Sequence, residues 1–454
     1  MISTLNHCRS LVIVLTAMAL VFGGQVNSFA QTDQTDQTDG QTAWSQFRGE
    51  GGTGVTDREL PVTWTVDDYA WRTKIPGSGW SSPVYVDGKA WMTYAITTAA
   101  TEEQIQKKLK GVEFAKLKTA YASVDFHAIC INLESGEILH DINLGKTTDP
   151  QLINPMNSYA SPSAAISDGK VVCHFGAHGT WCVDANTAEV VWDTKYVIDH
   201  SVGAGSSPII VDDAVILVCD GLDKQFIAAV NLSDGEELWK TDRPSIDSPS
   251  GEFRKAYCTP IVCEIDGQKE VVVTGADWIC AYNPTNGDEI WRLNYGKGFS
   301  VTGMPAQHDG MLFFVTGYSE NKIMGMDLGG KGKLKKSAIK WSLNGAPGMA
   351  SVVVHDGIIF SNNEGGVLSA IKAADGSYIK RTRSVNNLSS SPLLANGKLY
   401  VVNRQGRMKV FSADKTLELL HDFDFKSKVL ACPSPIGNDL LVRTENELIR
   451  ISAK

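Results

Sequence analysis

Short apolar runs broken by small polar turns alternate along most of the chain, and helical spacing is almost absent. One phrase recurs: a small-residue cluster ending in Ser-Pro or a near relative, an apolar run, then Asp-Gly or Asn-Gly. It stands at Ser81-Ser82-Pro83 with Asp87-Gly88, at Ser161-Pro162 with Asp168-Gly169, and at Ser206-Ser207-Pro208 with Asp212-Asp213. It returns at Thr259-Pro260 with Asp266-Gly267, Met304-Pro305 with Asp309-Gly310, and Ala350-Ser351 with Asp356-Gly357. The last two copies are Ser390-Ser391-Pro392 with Asn396-Gly397 and Ser434-Pro435 with Asn438-Asp439. Successive copies lie 40 to 52 residues apart, except the first pair, separated by 79. Asp-Gly and Asn-Gly between apolar runs predict two-residue β-hairpins, whose central residues both take positive φ.

The second half of each unit predicts two more strands, the outer one often carrying tryptophan: Cys182-Val183-Asp184 to Trp192, Ala229-Val230-Asn231 to Trp239, and Ala281-Tyr282-Asn283 to Trp291. Looser copies end at His140, Trp341, Lys380 and Leu420. Four short strands per unit, repeated eight times, predict an all-β, eight-bladed β-propeller of four-stranded antiparallel blades. Two stacked β-sandwiches would not produce one phrase in register eight times. The last unit stops after its third strand, Glu447 to Ile451, while an orphan strand, Tyr69 to Ile75, precedes the first unit. Pairing the two closes the ring and removes both exposed edges. Trp71 is then expected at the inter-blade position of Trp239 and Trp291.

The amino terminus predicts export. Arg9 precedes the apolar run Leu11 to Phe22, and Ser28-Phe29-Ala30 offers small residues where a signal peptidase cuts, so residues 1–30 read as a secretory signal. Cys8 lies before the apolar run, which excludes a lipoprotein cysteine, and no run is long enough for a transmembrane helix. Residues 31–43, rich in Gln-Thr-Asp, read as a disordered linker, leaving 44–454 as one propeller domain of the periplasm or cell exterior. The net charge of −9 argues against nucleic-acid binding. Eight of the nine cysteines follow the signal, none in a CxxC pair; most lie in strand-like runs and read as buried thiols, so no metal site is expected.

The Asp184 to Trp192 and Asn231 to Trp239 units resemble the tryptophan-docking repeats of the PQQ-like (quinoprotein-type) β-propeller family. The opening Trp44-Ser45-Gln46-Phe47-Arg48-Gly49, followed by Gly51-Gly52-Thr53-Gly54, is similar to the leader of its exported members. The resemblance implies that Trp192, Trp239, Trp291 and Trp341 sit between blades as structural residues. It also implies one of two functions. The first is a binding or assembly scaffold, as in the exported propeller serving the outer-membrane β-barrel insertion machinery. The alternative is a quinoprotein dehydrogenase that oxidises an alcohol or sugar with PQQ and Ca²⁺. That chemistry needs a carboxylate and an amide converging on the axis, and Asn362-Asn363-Glu364 is the one cluster of that kind; the Cys-Cys pair of many such enzymes is missing.

In such a ring the loops entering the inner strands and those joining the middle strands open on one face. They supply Trp80, Tyr159 and Tyr257, and His178, Asp220, Asp223, Asp277, Trp278, Tyr318, Glu320, Glu364 and Arg404. Aromatics mixed with a few charges suit recognition of a protein or small-molecule ligand. No catalytic triad, HExxH motif or phosphate loop is evident. The long first interval holds a helical insertion at about 99–121, opened by the capping box Thr101-Glu102-Glu103-Gln104 and rich in lysine. It either packs on the rim of that face or serves as a lid or docking element. The expectation is a monomeric exported scaffold.

Overall fold

The computed structural model describes residues 43–452, so the expected signal peptide and residues 31–42 of the expected linker lie outside the described residues. Eight four-stranded antiparallel sheets form a ring, spanning 84–147, 165–194, 209–242, 261–294, 306–344, 353–383, 393–424 and 434–451. These are blades 1 to 8. In six of the eight inner hairpins both turn residues take positive φ, as in Asp87 (51°) with Gly88 (73°) and Asn396 (37°) with Gly397 (70°). In blade 3 only Asp212 does so, and in blade 8 the position falls to Gly437, one residue before the expected turn.

The second strand of each blade is buried along most of its length, because it is covered on both faces by neighbouring blades. Ala214–Asp220 is buried at all seven positions. Outer strands alternate instead, as Tyr69–Lys74 does along its whole length. That strand pairs antiparallel with Glu447–Ile451, with Arg72 opposite Ile449 and Thr73 opposite Leu448, and completes blade 8. Ile75 falls just beyond it, buried, with its amide donating to Asn446 O at 2.8 Å.

Four tryptophans join blade to blade in one geometry. The indole Nε1 of Trp71 donates to Leu133 O at 3.0 Å, and that of Trp192 to Leu232 O at 2.9 Å. Trp239 donates to Pro284 O at 2.8 Å and Trp341 to Ala373 O at 2.9 Å. Each carbonyl belongs to the outer turn of the next blade, and each ring lies on a glycine of that turn: Gly136, Gly235, Gly287 and Gly376. A Cβ on any of the four would sit 2.4 to 2.7 Å from the ring, and all four take positive φ, so only glycine fits. Where the preceding blade carries His140 in place of tryptophan, the equivalent turn position is Ala188. Trp291 departs from the pattern: its indole bonds Glu270 Oε2 of its own blade at 2.9 Å. The turn of blade 5 is replaced by a longer segment, whose residues Gly332–Leu334 pair parallel with the Trp291 strand as a fifth strand. The ring of Trp291 stays fully buried, between blades 4 and 5.

Residues 44–56 run through the axis of the ring. Trp44 bridges to Tyr85 of blade 1, Ser45 O accepts from Ile166 N of blade 2, and Val55–Thr56 pairs parallel with Leu394–Ala395 of blade 7. Arg48, buried, donates to Gly52 O, Thr53 O and Val352 O, the last in blade 6. Gly52 takes positive φ against the Met304 side chain, where a Cβ would lie 2.3 Å from Met304 Cε. The opening motif is an axial plug.

Deleting residues 1–76 removes plug and closing strand together. It should give aggregating protein, because two sheet edges open and the apolar area of Trp71 is lost, which costs several kcal/mol for a packed aromatic, about 3–5 for Trp→Ala. Deleting only 1–43 should leave a folded ring. Size-exclusion chromatography and thermal melting compare the two; a monomeric long deletion with unchanged melting contradicts the closure.

Candidate functional site

Two residues before each inner strand stands Ser82, Ser163, Ser207, Thr259, Met304, Ser351, Ser391 or Cys432. These residues form a belt around the axis. Each backbone N–H donates to the side chain of the next: Ser82 N to Ser163 Oγ (2.8 Å), Ser163 N to Ser207 Oγ (3.0 Å) and Ser207 N to Thr259 Oγ1 (2.9 Å). The belt resumes from Met304 N to Ser351 Oγ, then Ser391 Oγ, Cys432 Sγ and back to Ser82 Oγ. The missing link is at blade 5, where Met304 offers no polar oxygen. A short polar side chain at the crowded axis satisfies an amide that no strand partner reaches, which accounts for the serine or threonine of the phrase in most blades; in blades 2 and 8 the belt residue is instead Ser163 or Cys432, beside Pro162 or Pro433.

Above the belt lies a cavity of about 570 Å³, floored by Phe47 of the plug and lined by residues from the loops entering all eight blades. Of the twelve residues expected on the recognition face, Trp80, Tyr257, Tyr318 and Arg404 line it. The other eight do not. Tyr159 is buried with its hydroxyl on Gln151 O at 2.6 Å, and His178 is stacked at 5.2 Å on Phe126. Asp223 accepts from Asp199 N, Trp278 donates to Ser245 O, and Glu364 accepts from Gly348 N and Met349 N. Asp220, also on that loop set, is buried beside Arg243, with Nε 3.1 Å from Oδ1, as a structural ion pair. Asp277 accepts from Gly298 N and Glu320 pairs with Lys322, both away from the cavity.

The remaining wall was not legible in the sequence. It comes from the blade 1 insertion and from the loop joining blades 3 and 4. The capping box forms as expected: Thr101 Oγ1 accepts from Gln104 N, Gln104 Oε1 accepts from Thr101 N, and the helix runs Glu102–Leu109. The insertion then reaches across blade 2. Lys108 pairs with Asp149, Thr119 bridges to Ile153, Ser250 Oγ donates to Glu113 Oε2, and Phe114 meets Phe253 edge-on at 6.2 Å. It is a strap that builds the cavity wall.

Where the strap meets the loop, Lys118, Glu252 and Lys255 form a buried cluster. Lys118 Nζ lies 2.5 Å from Glu252 Oε1, Lys255 Nζ contacts Glu252 Oε2, and Ser201 Oγ donates to the same carboxylate at 2.9 Å. Burial opposes ionisation of Glu252, but hydrogen bonds from Lys118 and Lys255 outweigh it and hold the carboxyl below its usual range. Burial, helped by the like charge of Lys118, holds Lys255 below the usual ammonium range. On the opposite wall Arg404 is held by Ser389 Oγ and Leu388 O and lies between the sulfurs of Met156 and Met349.

The residues present do not fit a calcium–quinone centre. Asn362 Nδ2 donates to Val385 O, Asn363 Oδ1 accepts from Val367 N, and Glu364 caps the 348–349 amides; none of the three lines the cavity. Among the described residues no three His, Cys, Asp or Glu side chains gather closely enough to hold a metal ion. The eight described cysteines are buried free thiols, none adjacent to another.

Eight antiparallel blades around a plugged axis, with a cavity opening on one face, define a β-propeller. The family model described as "Outer membrane protein assembly factor BamB" matches residues 125–319 and 335–430, more than half of the chain, and the chain belongs to that family. BamB from Moraxella catarrhalis is similar over 72% of this chain and 94% of its own, with 14% identity and a TM-score of 0.55. Quinohemoprotein alcohol dehydrogenase from Comamonas testosteroni is similar over 91% of this chain and 81% of its own, with 12% identity and a TM-score of 0.63. The computationally designed Ika8 protein is similar over 84% of this chain and 98% of its own, with 12% identity and a TM-score of 0.54. At these identities the likeness is one of fold. No curated protein sequence matches significantly.

Two predictions follow from the charges near this wall. Replacing Glu252 with Ala leaves two buried ammonium groups without their counter-ion and should cost about 3–5 kcal/mol in urea unfolding. Behind the wall, burial lowers the rings of His174 and His178 to about 4 and of His200 to about 3, with Lys195 and Lys108 adding at His178. Below an unfolded value near 6.5 the unfolded chain takes up protons that these rings refuse. Their contribution is therefore complete above about pH 7 and is lost as the pH falls toward 4. Melting temperature should drop steeply over that interval, and His178→Gln should make the drop shallower; parallel profiles for the two proteins contradict the assignment.

Proposed function

We propose that this chain is an exported binding propeller that serves as an assembly scaffold in the periplasm, engaging a protein partner through the face on which the axial cavity opens. One observation carries the reading: the mouth is ringed by apolar side chains that a folded chain would ordinarily bury. Phe114 is 48% exposed, Leu117 57%, Met156 53%, Phe253 38% and Tyr318 39%, drawn from four separate segments. Contiguous exposed apolar side chains rimmed by charge mark interaction sites. Membership of a family described by outer-membrane protein assembly supports a component of that machinery as the partner. The helices of the described residues include none long and apolar enough to cross a membrane. The signal over 1–30 belongs to this proposal.

Quinone-dependent alcohol or sugar oxidation finds support in the fold of the dehydrogenase neighbours but not in the donor set around Glu364. The test has two arms. A photo-crosslinking residue in place of Tyr318 should capture a defined outer-membrane assembly component in cells, while the same residue in place of Tyr378, exposed on the outer strand of blade 6, should not. Equal capture, or none, at both positions counts against the scaffold. PQQ with Ca²⁺ at 100 times the dissociation constant of a real site would add about 2.7 kcal/mol of stability. No shift in melting temperature is expected.

A further inference from the structure

The Lys118–Glu252–Lys255 cluster is unbalanced. Two ammonium groups, with side chains 2% and 6% exposed, share one carboxylate, so the three side chains together carry one net positive charge, with Asp199 the further carboxylate that acts on Lys255. Their six N–H donors make three hydrogen bonds among the described residues: Lys118 to Glu252, Lys255 to Glu252, and Lys255 to Ser201 Oγ at 3.1 Å. Three donors are left over. A buried cation with unspent donors is costly unless an anion answers it. All three residues line the axial cavity, and the side chains beside them there are Phe114, Leu117, Phe253 and Phe299. The other cation of the cavity is more fully engaged, since four of the five N–H groups of Arg404 go to Ser389, Leu388 O and two methionine sulfurs.

We infer that the cavity binds a small amphipathic carboxylate, its head on the free N–H donors of Lys118 and Lys255 and its apolar body along Phe114, Leu117, Phe253 and Phe299. This goes beyond the reading of the rim as a partner surface and stands apart from it. The cavity volume of about 570 Å³ lies within the range of ligand sites, roughly 300–1,000 Å³, and its two lysines lie together on one wall, across from Arg404. The charge on the wall selects the anion; the aromatic rings select the body. A neutral alcohol of the same length keeps the apolar contacts and loses the charge-assisted bonds. A cationic analogue meets like charge.

Calorimetric titration of the full mature chain with decanoate, decanol and decyltrimethylammonium tests this. Decanoate should bind at least tenfold more tightly than decanol, and the cation should not bind. Lys118→Gln and Lys255→Gln each leave one lysine paired with Glu252, so the cluster becomes neutral and the fold keeps its ion pair. In both variants the preference for decanoate over decanol should shrink to less than threefold while decanol binding persists, which shows that the cavity is intact. Raising the salt concentration should weaken decanoate and leave decanol unchanged. Equal affinity for acid and alcohol in the unmodified protein, an acid preference that survives both lysine variants, or no binding by either would overturn the assignment. None of those results touches the partner reading, because crosslinking from position 318 reports on the rim whether or not the cavity takes an acid.

Discussion

Everything in this molecule depends on closing a ring whose members cannot stand alone. A blade of four strands has two apolar faces and can bury them only against two neighbours, so a row of eight leaves two faces and two edges unmet. The chain solves this by covalent economy: Tyr69–Lys74, from near the start, becomes the outer strand of the sheet formed by its end. Arg72 pairs with Glu447 across this seam on the surface, and Arg450 donates to Leu133 O of blade 1, tying blade 8 to its neighbour. The tryptophan of the closing strand docks on blade 1 as those of blades 2, 3 and 5 dock on theirs. Closure uses the same contact as every other junction of that kind.

A closed ring creates an axis, and an axis is a problem of its own. Eight inner strands converge where there is room for small side chains only, and their first amides have no strand to bond. The belt of hydroxyls satisfies them from one blade to the next, and the segment 44–56 fills the space that remains. Glycine is required there for steric reasons: a Cβ at Gly49 would lie 2.4 Å from the Trp44 ring, and one at Gly54 would lie 2.7 Å from Arg48 Nη2. With one end plugged, the other end becomes a blind cavity. The ligand face is therefore a consequence of how the axis is sealed.

The cavity's chemistry comes from the two least regular segments of the chain. Minimal blades contribute serines, glycines and methionines to its lining, which are nearly neutral in recognition. The strap from blade 1 and the loop between blades 3 and 4 contribute Phe114, Phe253, Tyr257 and the buried Lys118–Glu252–Lys255 cluster, while Phe47, Trp80, Phe299 and Tyr318 come from the plug and other segments. Neither segment could form that wall alone, since Lys118 is 134 residues from Glu252 and each is buried by the other. Irregular segments held by ion pairs can change composition without disturbing the repeat, so a propeller acquires its specificity there.

The sequence by itself determined the number of blades, the strand order within each and the partner of the orphan strand. Those follow from local facts: the period of the apolar runs, Asp-Gly and Asn-Gly turns that tolerate positive φ, and a tryptophan recurring in the outer strand. Among the loop residues it named, Trp80, Tyr257, Tyr318 and Arg404 are brought by the fold to the cavity, because their positions within the repeat fix where they point. It did not distinguish them from Tyr159, His178, Asp223, Trp278 and Glu364, which share those repeat positions but turn into neighbouring loops. Only the tertiary structure decided that the opening motif is a plug, that the basic insertion is a strap, and that Lys118 and Lys255 meet one carboxylate. Those features rest on contacts between residues far apart in the chain with no common period, and a repeat pattern carries no information about which of two distant irregular segments will touch.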